Sequence, residues 1–112
     1  MLKEKAQTFN DGLCTIFRNS VGGLTKKVGP LRFDNRAVGV NRFYLAMQNN
    51  SQIDRVIRAP RQPNVESNDI AVLHDGTQFT IKQIQMPPEI VPPVMDLSLE
   101  KMLVPKPFAD ED

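Results

Sequence analysis

The sequence predicts an all-β fold, a small antiparallel β-barrel or sandwich of about six strands with one short helix between strands two and three. Three observations carry this prediction. Short segments rich in β-branched and aromatic residues recur along the chain, turn-forming residues separate them, and a two-residue turn signal joins two of them. Closure of such a sheet removes the exposed edges that an open sheet would leave.

The region around an Asp75-Gly76 dipeptide gives the clearest local signal. Asp69–His74 and Gln78–Met86 are apolar strand segments on either side of it, and Gln52–Ala59 is a third strand segment upstream. Asp-Gly is a strong hairpin signal because both central residues of a type I′ turn need positive φ. The dipeptide therefore predicts an antiparallel hairpin with a type I′ turn.

The N-terminal half contains two further strands and the helix. Residues 1–10 form a short charged arm, Leu13–Arg18 alternates as a first strand, and Leu31–Val38 is the second. The glycine- and lysine-rich segment 19–30 between them predicts a flexible hairpin loop. Apolar residues then recur at steps of three and four through 40–47, which is typical of a short amphipathic helix.

The C-terminal half returns through a proline-rich connection to a last strand. Two proline pairs in 87–93 exclude a central strand there, because proline donates no ladder hydrogen bond. Val94–Leu103 alternates apolar and polar residues, so one buried and one solvated face are expected. The sequence thus predicts one domain, with a barrel core at 11–104 and an acidic, flexible tail at 105–112.

Composition limits the classes of function. The 112 residues carry 14 Lys+Arg and 13 Asp+Glu, a net charge of +1, so no overall field attracts nucleic acid or membrane. A 40% hydrophobic content without tryptophan mildly favours a subunit that completes its burial against neighbours. The single cysteine, Cys14, predicts a buried structural thiol in a reducing compartment. With no apolar run of membrane-spanning length and no signal-peptide pattern, a soluble, intracellular protein is expected.

The residue types that serve in catalysis and metal binding form no recognisable motif in this sequence. The only histidine, His74, adjoins the predicted turn and has no second histidine or cysteine cluster to complete a metal site. Asp96 and Glu100 are expected on the wet face of the last strand, without the desolvation that acid–base chemistry needs. We therefore expect no enzyme activity, no cofactor and no metal.

Arginine is concentrated in the middle of the chain. Six arginines lie between positions 32 and 61 against two aspartates. Arginine suits bidentate contacts with carboxylates or phosphates, so the set could form a subunit interface with acidic neighbours or a nucleic-acid groove, or could simply be solvated. The predicted helix, with its Phe43-Tyr44 pair, could equally cover the barrel end or project towards a partner. The candidate interface or channel residues are Arg36, Arg42, Phe43, Tyr44, Arg55, Arg58 and Arg61.

An ordered series of motifs over residues 31–103 resembles the head–tail joining, or head-closure (head completion, stopper), proteins of tailed bacteriophages and of prophages of Gram-positive bacteria. The series begins with a helical segment that contains an aromatic pair, followed by a Gln/Asn-rich stretch. Four strand motifs and a D-G hairpin come after it. In this sequence they are Arg42-Phe43-Tyr44, Ile53–Pro60, Asp69–Val72, Asp75-Gly76, Phe79–Ile84 and Asp96–Glu100.

The resemblance implies a structural protein of the virion neck, assembled in the host cytoplasm. Such a protein docks as a twelve- or six-membered homo-oligomeric ring between a portal or adaptor protein and a tail terminator or tail-tube protein. It helps to retain packaged double-stranded DNA, and in some relatives a loop equivalent to about 35–52 closes the channel. A tail terminator or adaptor of the same neck, and a small β-barrel nucleic-acid-binding module, remain the alternatives.

Overall fold

Six antiparallel strands close into one barrel in the computed structural model, which describes residues 8–37 and 53–109. Around the barrel the strands follow the order β1-β2-β3-β6-β5-β4. This confirms the all-β prediction, whereas the predicted helix at 40–47 lies outside the described residues. No helix in the described part of the chain is long and apolar enough to cross a membrane. The strands are β1 (Gly12–Ser20), β2 (Gly23–Arg36), β3 (Arg55–Pro60), β4 (Ile70–Leu73), β5 (Gln78–Gln85) and β6 (Val94–Lys101).

The second strand begins eight residues earlier than the sequence predicted. The expected loop at 19–30 is instead the continuation of a long β1–β2 hairpin, whose turn is only the two residues Val21 and Gly22. The glycine and proline that indicated a loop form a bulge, because Gly29 and Pro30 together face Thr15 on β1. A bulge accommodates these residue types within a strand and increases its local twist.

The barrel interior is filled by alternate residues of all six strands. Leu97 and Leu99 of β6 are fully buried there, and Val65 from the β3–β4 connection joins the same cluster. Each large aliphatic side chain buried in this way contributes about 1.5–3 kcal/mol relative to an exposed one. The buried members are Cys14, Ile16, Phe33, Ile57, Ala59, Val65, Ala71, Leu73, Phe79, Ile81, Met95, Leu97 and Leu99.

The last strand is buried on both faces, which corrects the prediction of one wet face. Asp96 and Ser98, which alternate with the interior residues, are buried as well. Their cross-strand partners on β3 are Arg58 and Val56, so each lies in an antiparallel pair with a buried neighbour. The sequence pattern failed here because Asp96 is neutralised by Arg58 and does not need solvent.

The predicted β4–β5 hairpin is confirmed, but its turn is not type I′. The Leu73 N–H donates to the Thr77 carbonyl at 3.0 Å and the Gly76 N–H donates to the Leu73 carbonyl at 2.8 Å, which closes a three-residue loop. Among the three loop residues, 74–76, only Gly76 has positive φ, at 92°. Three-residue loops of this kind need one left-handed residue at the last position, and Asp75 therefore keeps an ordinary backbone conformation. Asp75 instead accepts a hydrogen bond from the Thr77 N–H, which lowers the pKa of its carboxyl group.

The segment after β6 is bonded to the barrel and forms a C-terminal strap (residues 102–109). The expected flexible tail is therefore wrong for 105–109, while 110–112 lie outside the described residues. The Gln78 side-chain amide donates to the Lys106 carbonyl at 2.9 Å and accepts from the Lys106 N–H at 2.8 Å. Leu24 of β2 accepts from Ala109 and donates to the carbonyl of Pro107. The Phe108 ring contacts Phe17 of β1 in a tilted arrangement, with ring centroids 5.0 Å apart and an interplanar angle of 55°.

Candidate interaction surfaces

The arginines of β3 do not form one exposed surface, because Arg58 is buried in an ion pair. Its Nε and Nη2 donate to the two carboxylate oxygens of Asp96 at 2.7 and 3.0 Å. The register of β3 against β6 places the two residues directly opposite each other. The side-chain hydrogen bond to Asp96 raises the pKa of Arg58. A bidentate contact of this geometry holds the two strands in register.

Arg55 lies over one end of the barrel and is half-buried. Its guanidinium carbon is 5.5 Å from the centre of the buried Phe33 ring, a cation–π distance. Its Nε and Nη2 both donate to the Asn35 side-chain oxygen, at 3.1 and 2.9 Å. Asn35 carries no charge, so these two hydrogen bonds do not neutralise the positive charge of Arg55.

The other predicted arginines divide between the fold and the surface. Arg61 is half-buried and donates to the backbone carbonyls of Val94 and Pro87, at 3.1 and 3.3 Å. It therefore joins the end of β3 to the proline-rich connection before β6. Arg36 and Arg32 on β2 are exposed. The remaining candidates, Arg42, Phe43 and Tyr44, lie outside the described residues.

A buried lysine that the sequence analysis assigned to a loop anchors the β3–β4 connection. The Lys27 ammonium is 2.7 Å from the Asp69 carboxylate, and both side chains are buried. The same oxygen of Asp69 accepts the Glu66 N–H at 2.8 Å. No local pattern indicates this contact, because the two residues lie 42 positions apart and meet only when the barrel closes.

An apolar end of the molecule is exposed beside the β1–β2 turn. Val21 occupies the turn itself, and Phe108 is joined to β2 through the Leu24 bridge. Leu103 and Val104 follow Met102, which packs on the same small cluster as Leu24. We call Val21, Leu103, Val104 and Phe108 the apolar end; all four are strongly exposed, with Leu103 at 97%. The sequence analysis missed this group because its members come from four different predictions: the loop at 19–30 for Val21, the last strand for Leu103, the end of the core for Val104 and the tail for Phe108.

A shallow cleft lies at the opposite end of the same hairpin. It has a volume of about 200 Å³ and is lined by Phe9, Asn10, Gly12, Leu13 and Arg32. Two carboxylates bond the segment before β1 to β2. Asp34 accepts the N–H of Asn10 and Asp11 accepts the N–H of Asn35, both at 2.8 Å.

Among residues 8–37 and 53–109, no group of three or more His, Cys, Asp or Glu side chains could hold a metal ion. His74 is exposed in the β4–β5 loop, as the sequence predicted.

Cys14 provides a test of the closed barrel. It is buried in the interior, and burial raises the pKa of its thiol to about 12. Because the thiolate is the reactive form, we expect almost no maleimide labelling of the native protein at pH 8 and complete labelling in guanidinium chloride. Above pH 9 the unfolded state ionises first, so the free energy of unfolding should fall by about 1.4 kcal/mol per pH unit until the native thiol also ionises. Rapid native labelling at pH 8 would contradict the closed interior.

Searches among known family models, curated proteins and solved structures find no match to this chain. The fold and its surfaces define a class: a small closed antiparallel β-barrel with a bonded C-terminal strap. Its function is therefore inferred from the residues themselves.

Proposed function

We propose that this chain is a structural protein of a phage virion neck: a head-closure, or stopper, component of the head–tail connector. In this proposal it forms a ring between the portal or adaptor and the tail, and it helps to retain packaged DNA. The observation that carries the proposal is the ordered motif series of the sequence, whose four strand motifs correspond to β3, β4, β5 and β6. These strands are contiguous in one barrel, in the order β3-β6-β5-β4.

The surface supports an assembling subunit. Within the described residues, seven large hydrophobic side chains are exposed. One is Leu13 on β1, and the others come from the β1–β2 turn, the strap and the connection between β5 and β6. Contiguous exposed apolar surface marks protein contacts in soluble proteins. A tail terminator or an adaptor in the same neck would use such surfaces equally, so imaging of the assembled neck distinguishes the three positions.

Deletion of the gene in the phage or prophage that encodes the chain tests the proposal directly. We expect heads that package DNA but lose it and do not attach tails. Restoration by the parent chain supplied in trans is the control. Heads that keep their DNA and attach tails without this protein would refute the neck function.

Charge reversal separates an assembly role from a folding role among the arginines. Arg36 is exposed, so we expect Arg36→Glu to leave the free energy of unfolding within about 0.5 kcal/mol of the parent while weakening assembly. Arg58→Glu should instead unfold the chain, because it places two carboxylates together in a buried site. Thermal melts and native mass spectrometry measure the two effects. An Arg36→Glu variant that assembles like the parent would remove Arg36 from the interface.

The alternative function, a nucleic-acid-binding module, is favoured only by the arginine count. Arg58 and Arg61 direct their guanidinium groups to acceptors within the chain, which leaves few free donors for phosphates. Affinity of the isolated chain for double-stranded DNA, measured over a range of salt concentrations, tests it. Phosphate contacts would give affinity that falls steeply with salt.

A further inference from the structure

A second apolar cluster lies outside the barrel, on the outer face of β4. Ile70 and Val72 alternate along β4 with residues of the interior cluster, so their side chains point away from the interior. Both are nevertheless buried, and they pack with Leu24 of β2. The partly buried Phe17 and Met102 pack against the same group. We call Ile70, Val72 and Leu24 the outer cluster; among the described residues it shares none with the interior cluster.

The C-terminal strap spans this cluster and is bonded on both sides of it. On one side, the Gln78 side chain of β5 exchanges two hydrogen bonds with the backbone of Lys106, at 2.9 and 2.8 Å. On the other side, Leu24 of β2 donates to the Pro107 carbonyl at 2.9 Å and accepts from the Ala109 N–H at 2.8 Å. Around the barrel β4 and β1 separate β5 from β2, so the strap joins two strands that are not neighbours in the sheet.

The tip of the β1–β2 hairpin, residues 18–25, extends beyond the barrel. β1 pairs with β4 only over 14–17, and β2 pairs with β3 only over 34–36. Within the described part of the chain, the two strands of the tip therefore pair only with each other, and the strap supplies the further bonds at Leu24. The strap lies very close there, since a Cβ atom added to Gly23 would be 2.8 Å from the Pro107 carbonyl oxygen. The tip and the strap thus hold each other in place.

The strap buries little of its own apolar surface. Leu103, Val104 and Phe108 are all exposed. The attachment of the strap therefore depends largely on hydrogen bonds, and each of these contributes modest net stability because the released groups bond to water instead. Segments of this kind, with few buried contacts, can open without unfolding of the whole domain.

We propose that the strap and the hairpin tip form a latch: they open and close together as one unit over the outer cluster, while the barrel stays closed. Neither segment contributes a side chain to the interior cluster, so the opening does not disturb it. Opening uncovers Ile70 and Val72, which gives the protein an apolar surface that is accessible only in the open state. The latch is a property of the fold and does not depend on the neck function.

Native-state amide hydrogen exchange of the full chain, followed by NMR, tests the latch. Leu24, Lys106 and Ala109 donate backbone N–H groups at the two attachments of the strap, whereas the Ile81 N–H donates to Asp69 in the wall of the barrel. We expect the three latch amides to share one opening free energy, with protection factors at least about a hundredfold below that of Ile81. Equal protection of the latch amides and Ile81 would mean that the strap opens only when the barrel unfolds, and would overturn the proposal.

Two substitutions at opposite attachments test whether the latch opens as one unit. Gln78→Met removes the side-chain bonds to the strap, and Gly23→Ala crowds the Pro107 carbonyl. In each variant we expect protection to fall by about tenfold or more at both attachments, with no change for the barrel amides. Gln85→Met is the matched control, because it makes the same substitution at an exposed position of the same strand and should leave the latch amides unchanged. A fall confined to the substituted attachment, or an equal fall in the barrel amides, would contradict a latch.

Thiol labelling reports the uncovered surface itself. A Val72→Cys variant carries one thiol in the outer cluster and a second, Cys14, in the interior. At pH 8 we expect intact-mass measurement to show addition of one maleimide, at the introduced thiol, and we expect Gln78→Met to speed this addition by about tenfold. Labelling of both thiols at the same rate, or of neither until the chain unfolds, would show that the outer cluster is not uncovered while the barrel stays closed.

Discussion

Replacement of Asp96 by alanine should destabilise the chain by about 3–5 kcal/mol, because it removes the carboxylate that accepts the Nε and Nη2 hydrogen bonds of the buried Arg58 guanidinium. Both side chains are nearly inaccessible, at 10% for Arg58 and 8% for Asp96. The two hydrogen bonds between them also fix the register of β3 against β6. An effect of this size is a large fraction of the stability of a small domain, so we expect a sharply lower urea midpoint.

A double variant separates the loss of the ion pair from the burial of a guanidinium that lacks its bidentate partner. Replacement of Arg58 by methionine together with Asp96 by leucine removes both charges and keeps most of the buried volume. We expect it to recover most of the stability lost in Asp96→Ala, since well-packed apolar residues often replace a buried ion pair at little cost. A double variant as unstable as the single one would mean that the pair itself, with its geometry, stabilises the barrel.

The sequence predicted the parts of the fold that depend on neighbouring residues. The hairpin at Asp75-Gly76 was predicted because the strand segments on both sides are apolar and the turn residues lie between them. Strands β3 to β6 were predicted from equally local signals: β-branched residues before Pro60, the apolar run at 70–73, the apolar residues of 78–86, and the alternation after Val94. The turn type was wrong because Asp-Gly fits both a two-residue loop and the end of a three-residue loop, and only the backbone bonds around Leu73 distinguish them.

The parts that the sequence did not predict depend on contacts between distant residues. The burial of Asp96 requires Arg58 to lie opposite it, and this follows from the order of strands around the barrel. The part of the strap at 105–109 was interpreted as a tail because prolines and charges dominate it, yet the Gln78 side chain and Leu24 supply its hydrogen bonds. The candidate surfaces were only partly predicted for the same reason, since closure of the barrel assembles them from separate segments.

Glycine substitutions test the bulge in β2, which is the largest departure from the predicted elements. Gly29 has φ of 134°, a conformation that side chains rarely adopt. A Cβ atom built there lies 2.8 Å from the Cα of Thr15 and 3.1 Å from the carbonyl oxygen of Cys14. Both contacts are backbone atoms of the paired strand, which cannot move without opening the hairpin. Strain and crowding together should make Gly29→Ala cost about 3 kcal/mol.

Two other glycines serve as graded controls for this prediction. Gly76 also has positive φ, at 92°, but nothing lies within 4 Å of the added Cβ, so Gly76→Ala should cost about 1 kcal/mol through the backbone alone. Gly22 has neither constraint, and Gly22→Ala should change the free energy of unfolding by less than about 0.5 kcal/mol. Urea unfolding of the three variants measures the series. Equal costs at Gly29 and Gly76 would show that the β1–β2 backbones do not approach as closely as the bulge requires, and that segment 19–30 behaves as the loop its composition indicates.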